Sequence, residues 1–238
     1  VVPMRGYDFW QPAYENYHIP GTPPKTQTIL DEQDLKALEA DIATARESAD
    51  VVVTSFHWGD FLRPYHLTDL EKRLARLAID AGADIVTGCH HHTLRGIEWY
   101  RNKPIFYGLG HFVFDLRLEL SEEARAMFEA LPPEAAGYQL APRPGWPLLP
   151  MHEDARLTIF AYALAGPGEV TAAGIVPCRL RPDGRVEAVS PEDGEGKEVI
   201  EYLAYCNESQ GLASRLLPTV RDGLGACVDV LPAEEKEV

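Results

Sequence analysis

Basic residues are scarce in this chain: 22 Lys and Arg stand against 37 Asp and Glu, giving a formal net charge of -15 and a pI near 4.9. So acidic a surface repels a phosphate backbone and excludes general nucleic-acid binders. Cysteine is sparse too. Cys89, Cys178, Cys206 and Cys227 show no Cys-x-x-Cys spacing, so neither a zinc ribbon nor a dense disulfide framework is expected, and the redox compartment stays open. No apolar run approaches the roughly 18 residues of a membrane span. No basic, apolar and small-residue signal segment is present, and no internal repeat. The chain opens Val1-Val2-Pro3 rather than with Met, so a segment upstream is an expectation.

What is present suffices for a core: 238 residues, 45% hydrophobic, fit one large or two small domains. Pro3, Pro12, Pro20, Pro23 and Pro24 among several aromatics predict an extended arm over residues 1–30. From Asp31, a candidate N-cap, Leu35, Leu38, Ile42, Ala45 and Ala49 recur at helical spacing. Val51 to Phe56 is β-branched and apolar throughout, the pattern of a strand covered on both faces by helices. A second helix is punctuated by the capping box Thr68-x-x-Glu71 and by Gly82. Asp84 to Thr87 then forms the next strand. Gly96–Tyr100 and Pro104–Tyr107 read as a hairpin that turns the sheet antiparallel.

Residues 116 to 154 interrupt this order with a short acidic helix near 121–130, followed by Pro132, Pro133, Pro142, Pro144, Pro147 and Pro150. The segment is expected to be an irregular, mobile excursion from about Leu131 to Pro150, a lid if it overhangs the site. Strand patterns return at 155–164, 170–180 and 185–189, a helix at 195–206, and a frayed charged end over 232–238.

The chemistry gathers at Ala83-Asp84-Ile85-Val86-Thr87-Gly88-Cys89-His90-His91-His92, where a short strand runs into consecutive imidazoles, and at Ser55-Phe56-His57-Trp58-Gly59. The strand-helix-strand unit between them has a right-handed crossover, so the two strands are parallel neighbours and both sites open on one sheet edge. In an extended loop alternate side chains share a side, so His90 and His92 converge while Cys89 and His91 face elsewhere. His57 supplies a third nitrogen, and imidazole suits zinc, manganese, iron or nickel. A single structural zinc held by Cys89 and the imidazoles is the competing arrangement.

At these residues the chain resembles the CapA family of poly-γ-glutamate capsule synthesis proteins, a branch of the calcineurin-like metallophosphoesterases. The resemblance is carried by His57-Trp58-Gly59, Gly82-Ala83-Asp84, Gly88-Cys89-His90-His91-His92 and Tyr107-Gly108-Leu109-Gly110-His111-Phe112-Val113-Phe114-Asp115. It implies a layered α/β/β/α sandwich with mixed sheets. It also implies a two-metal centre of Mn, Zn or Fe, with His57 and His90 on one metal and His92 on the other. Cys89 stands where the family has histidine, His91 where it has proline, His111 where it has asparagine, and Phe61 where an acidic residue is frequent. His91, His111 and Asp60 are the candidate catalytic residues.

The family's carboxylate ligands come from the first half of the domain. No matching segment precedes His57, so this is expected to be the C-terminal portion of a longer protein, with an exposed apolar patch along one of the two strands. The division is then an arm at 1–30, the C-terminal half of the metallophosphoesterase-like domain at 31–115, an insertion at 116–154, strands and a helix completing the domain at 155–217, and a tail at 218–238. Two function classes follow: a metal-dependent hydrolase acting on a small or polymeric anionic substrate, or a non-catalytic metal- or polymer-binding component of capsule assembly or export. The resemblance suggests a membrane-associated or extracytoplasmic setting and other capsule-synthesis proteins as partners.

Overall fold

The first element is a strand pair rather than a loop: β1 (Gly6–Gln11) and β2 (Lys25–Leu30) are antiparallel, from Gly6 opposite Leu30 to Gln11 opposite Lys25. This corrects the arm expected over residues 1–30; Pro3, Pro12, Pro20, Pro23 and Pro24 lie outside the described residues. The structure, a computed structural model, describes residues 4, 6–11, 25–130, 136–166, 169–212 and 214–233.

Helix α1 (Glu32–Ser48) begins where Asp31 Oδ1 accepts from the amides of Gln33 and Asp34, at 2.9 and 3.2 Å. Strand β3 (Val53–His57), helix α2 (Asp69–Asp80) and strand β4 (Ile85–Cys89) form the expected parallel unit, in register from Val53 opposite Ile85 to His57 opposite Cys89. The capping box of α2 is closed in both directions. Strands β5 (Ile97–Tyr100) and β6 (Lys103–Phe106) meet at a turn in which Arg101 and Asn102 both have positive φ, 50° and 60°, matching the twist of a tight hairpin. The sheet order is β3-β4-β6-β5.

Strand β3 is therefore an edge, and it is not covered on both faces. Val53 is 55% exposed, and Ser55 and His57 share its open side. Val53 is the one large apolar side chain exposed on this strand, so its open side is not a continuous apolar patch.

Helix α3 (Glu122–Ala130) opens the excursion, and residues 136–150 that follow contain no strand or α-helix. The expectation for 131–135 lies outside the described residues. A 3-10 turn at Glu153–Arg156 leads into β7 (Leu157–Gly166), β8 (Glu169–Leu180) and β9 (Val186–Ala188), then α4 (Gly194–Gln210), β10 (Ser214–Arg221) and β11 (Gly225–Pro232). The second sheet runs β10-β11-β8-β7, with β9 on β8. Residues 218–232 are thus not a tail. They supply the end of β10 and all of β11, a central strand whose Val228 and Val230 are fully buried; residues 234–238 lie outside the described residues.

Two apolar clusters hold these layers. One joins α1 and α2 to the first sheet through Ile42, Leu74, Ala78, Val86 and Ile105. The other sets Ile97 and Phe106 of the first sheet against Ile159, Ile175 and Val228 of the second and Val199 and Leu203 of α4. Trp99 Nε1 donates to the Val230 carbonyl at 2.9 Å across that contact. The result is a layered α/β arrangement whose first sheet delivers its parallel strand ends to a single edge.

Candidate functional site

His57 is the last residue of β3, and Cys89, its register partner, is the last of β4. Beyond them the structure gathers the imidazoles. The His57 and His90 rings lie 4.6 Å apart, the His90 and His92 rings 6.2 Å, and the His92 and His111 rings 5.1 Å, the last pair stacked. Phe61 meets both His90 and His92 edge-on, and Phe114 closes on His92 and His111.

The route to this arrangement differs from strand alternation. His90 has φ of 102° and His92 of 59°, so both sit in left-handed backbone. The loop coils rather than continuing the pleat. Cys89 does not face elsewhere: its Sγ lies 3.5 Å from His57 Nδ1.

His91 is buried under the loop, with Nε2 2.7 Å from Glu71 Oε1 and both side chains fully enclosed. Burial pushes His91 down, and the Arg95 charge adds to this, against the Glu71 hydrogen bond. Burial pushes Glu71 up, but the His91 and Thr68 hydrogen bonds outweigh it and leave its carboxyl below the usual value. An ionised Glu71 accepting from a neutral His91 satisfies both directions. Arg95, also fully buried, donates to the carbonyls of Asp60 and Arg63 at 3.1 and 2.9 Å, which fixes the loop carrying Phe61. The Asp60 carboxylate is turned away, toward Arg63 Nε at 3.3 Å and the Leu62 amide at 2.9 Å.

Burial and the neighbouring imidazoles hold His90 and His92 below the ordinary histidine value, and burial pushes His111 down to about 4. All three are neutral at pH 7 and present nitrogen lone pairs. His111 is hydrogen-bonded to the His92 backbone, while its Nε2 is buried with no partner among the described residues.

The excursion does lie over the histidines. A small pocket is walled by Phe61, His91, His92 and Thr93 below and by Tyr138, Leu140, Met151 and His152 above. Tyr138 donates to Asp154 and stacks on His152 at 4.1 Å. Sequence reasoning missed this roof residue by residue, since only its proline content was readable. It also missed Arg95, and it recognised Glu71 only as a helix cap.

Does this donor set fit a metal? Three imidazoles face one edge, and imidazole is a good ligand for zinc, manganese or iron. Among the described residues, however, no group of three or more His, Cys, Asp or Glu is arranged to hold an ion. Among the described residues no carboxylate joins the imidazoles to offset the charge of paired cations. The residues present do not by themselves make up a metal centre.

Comparison with known proteins agrees with the motif pattern. Residues 5–116 match the family described as Bacterial capsule synthesis protein PGA_cap. The PGA biosynthesis protein CapA of Bacillus subtilis (strain 168) is 47% identical over 74 residues, 31% of this chain and 19% of that protein. The capsule biosynthesis protein CapA of Bacillus anthracis is 37% identical over 98 residues, 40% of this chain and 22% of its own length. A probable polyglutamine synthesis accessory protein of Mycobacterium tuberculosis (strain CDC 1551 / Oshkosh) is 38% identical over 76 residues, 32% of this chain and 20% of that protein. The chain spans about a fifth of the length of these curated relatives. No described helix is long and apolar enough to cross a membrane. The segment that carries His57, His90, His92 and His111 is thus similar to the CapA proteins of bacterial capsule synthesis.

Proposed function

We propose that His57, His90 and His92 form the imidazole wall of a divalent-metal centre, of Mn, Zn or Fe, in a capsule or polyglutamate synthesis protein acting as a metallophosphoesterase-type hydrolase. The observation that carries this reading is the gathering of the three rings where two parallel strands end together. An ion held there would polarise a phosphoryl or related group and acidify a water. The rest falls to the chain's own side chains. The imidazoles offer nitrogen lone pairs, Phe61 and Phe114 pack against their flanks, and His111 stacks beside His92. The roof with Tyr138 and His152 would bound the space for a small or polymeric anionic substrate. The remaining ligands, carboxylates among them, would come from parts of the longer protein that this chain does not span, and a two-metal site would form only there. Other capsule-synthesis proteins are the expected partners.

The second reading is a component that binds metal or polymer without turnover. Metal analysis of this chain and of an upstream-extended protein, with a generic phosphodiester as substrate, separates the two. The expected result is weak uptake of one ion by the short chain, two ions and turnover in the extended one, and loss of both in His92→Ala. Two ions tightly retained by the short chain, or uptake unchanged in His92→Ala, would overturn the assignment. Two ions without turnover in the extended protein would favour the binding component.

A further inference from the structure

We infer that Glu71 and His91 act as a positioning pair that sets the aim of His90 and His92; the metal consequence rests on the function proposed above. Glu71 sits at the start of α2 and divides its carboxylate. Oε2 accepts from the Thr68 amide and hydroxyl, each at 2.7 Å, closing the capping box, while Oε1 holds His91 Nε2 at 2.7 Å. The cap of one helix and the seat of one histidine are thus the same group.

The surroundings leave the His91 ring nowhere else to go. A Cβ on Gly59 would fall 2.1 Å from His91 Nε2 and 2.9 Å from Glu71 Oε1, and a Cβ on Gly108 would fall 3.1 Å from His91 Nδ1. Glycines from the His-Trp-Gly and Tyr-Gly-Leu-Gly segments therefore make the slot that the ring fills. Gly59 has φ of 88°, which a side chain would also resist.

Either side of this anchored residue the backbone is left-handed, at His90 and at His92. Neither is glycine, and such conformations persist only when their surroundings over-determine them. A buried side chain bonded to a buried carboxylate supplies that constraint. With His91 drawn down into the slot, the chain on both sides turns back, and the two flanking rings emerge toward His57 and Phe61. This is a positioning role: the pair fixes the direction from which two lone pairs are offered, as partners behind metal ligands do elsewhere.

The test uses the chain as it stands, first without metal. Three-bond HN–Hα couplings with Cα and Cβ shifts of His90 and His92 report left-handed backbone, and the Trp99 indole N–H, bonded to Val230, reports the intact fold. Wild type is expected to show left-handed values at both histidines. His91→Ala is expected to lose them with the Trp99 signal unchanged. Glu71→Gln keeps a side chain able to serve the capping box, but it has one acceptor oxygen for two tasks, so it is expected to fall between; it carries the reading if His91→Ala does not fold. With Co(II) added, affinity should fall about 10- to 100-fold in His91→Ala, with an altered visible spectrum, and recover partly in Glu71→Gln. Folded variants that keep left-handed couplings and wild-type Co(II) spectra would overturn the positioning pair. A wild type that takes up no Co(II), while its variants lose the couplings, would overturn the metal reading and uphold the pair.

Discussion

At Gly88 the missing side chain is what holds the site together. A Cβ there would lie 2.2 Å from Trp58 Nε1 and 2.2 Å from the Tyr107 carbonyl, the two atoms that form a 3.1 Å hydrogen bond over it. Gly88→Ala should therefore cost about 3 kcal/mol by overpacking, read as a lowered urea midpoint with an unchanged slope. Asp84 makes a different demand. Burial pushes its carboxyl up, but Arg46, the Val52 amide and Lys103 outweigh it and hold the group below the usual carboxylate value. The stability it adds is complete above the unfolded value near 4 and is lost as pH falls through the lower folded value. Asp84→Asn should cost about 2 kcal/mol at neutral pH, and the gap from wild type should close on titration below about pH 4. Equal costs at both pH values would refute this. The sequence announced Gly88 and Asp84 as motif positions without their reasons, because the partners lie tens of residues away.

Among elements, those with local punctuation were legible. The capping box of α2, the β-branched β3 and the strands β8 and β9 all stand where the residues implied. β1 and β2 escaped notice because prolines between them dominated the composition of the segment. β10 and β11 escaped because their run is short of aromatics and broken by Pro218. The Asp222-Gly223 pair at their turn was the signal that could have found them. The His90–His92 geometry was misjudged because left-handed backbone at histidine leaves no sequence trace. One junction between elements carries its own prediction: Asn207 of α4 accepts from the Ile97 amide of β5 at 2.8 Å and donates to Ser214 Oγ, which donates to the Ile97 carbonyl. Asn207→Ala strands a buried amide and should cost about 2 kcal/mol, seen as a lowered thermal midpoint and faster exchange of the Ile97 amide.

For the molecule as a whole, the net charge of -15 is a standing repulsion. Raising salt from about 10 to about 150 mM shortens the screening length from about 30 to about 8 Å. The thermal midpoint should therefore rise with salt in that range; a fall would mean that the surface ion pairs outweigh the excess acid. The apolar cluster linking both sheets and α4 makes one cooperative transition the expectation for the described core. The buried Trp58 has a further use. It follows His57 directly, stacks on Phe56 and is only 6% exposed, whereas Trp99 and Trp146 are partly open to solvent. Its fluorescence should be a blue-shifted component distinct from theirs, and a paramagnetic ion seated at His57 should quench that component before those of Trp99 and Trp146, so that occupancy of the histidine wall can be followed by light emission without an added label.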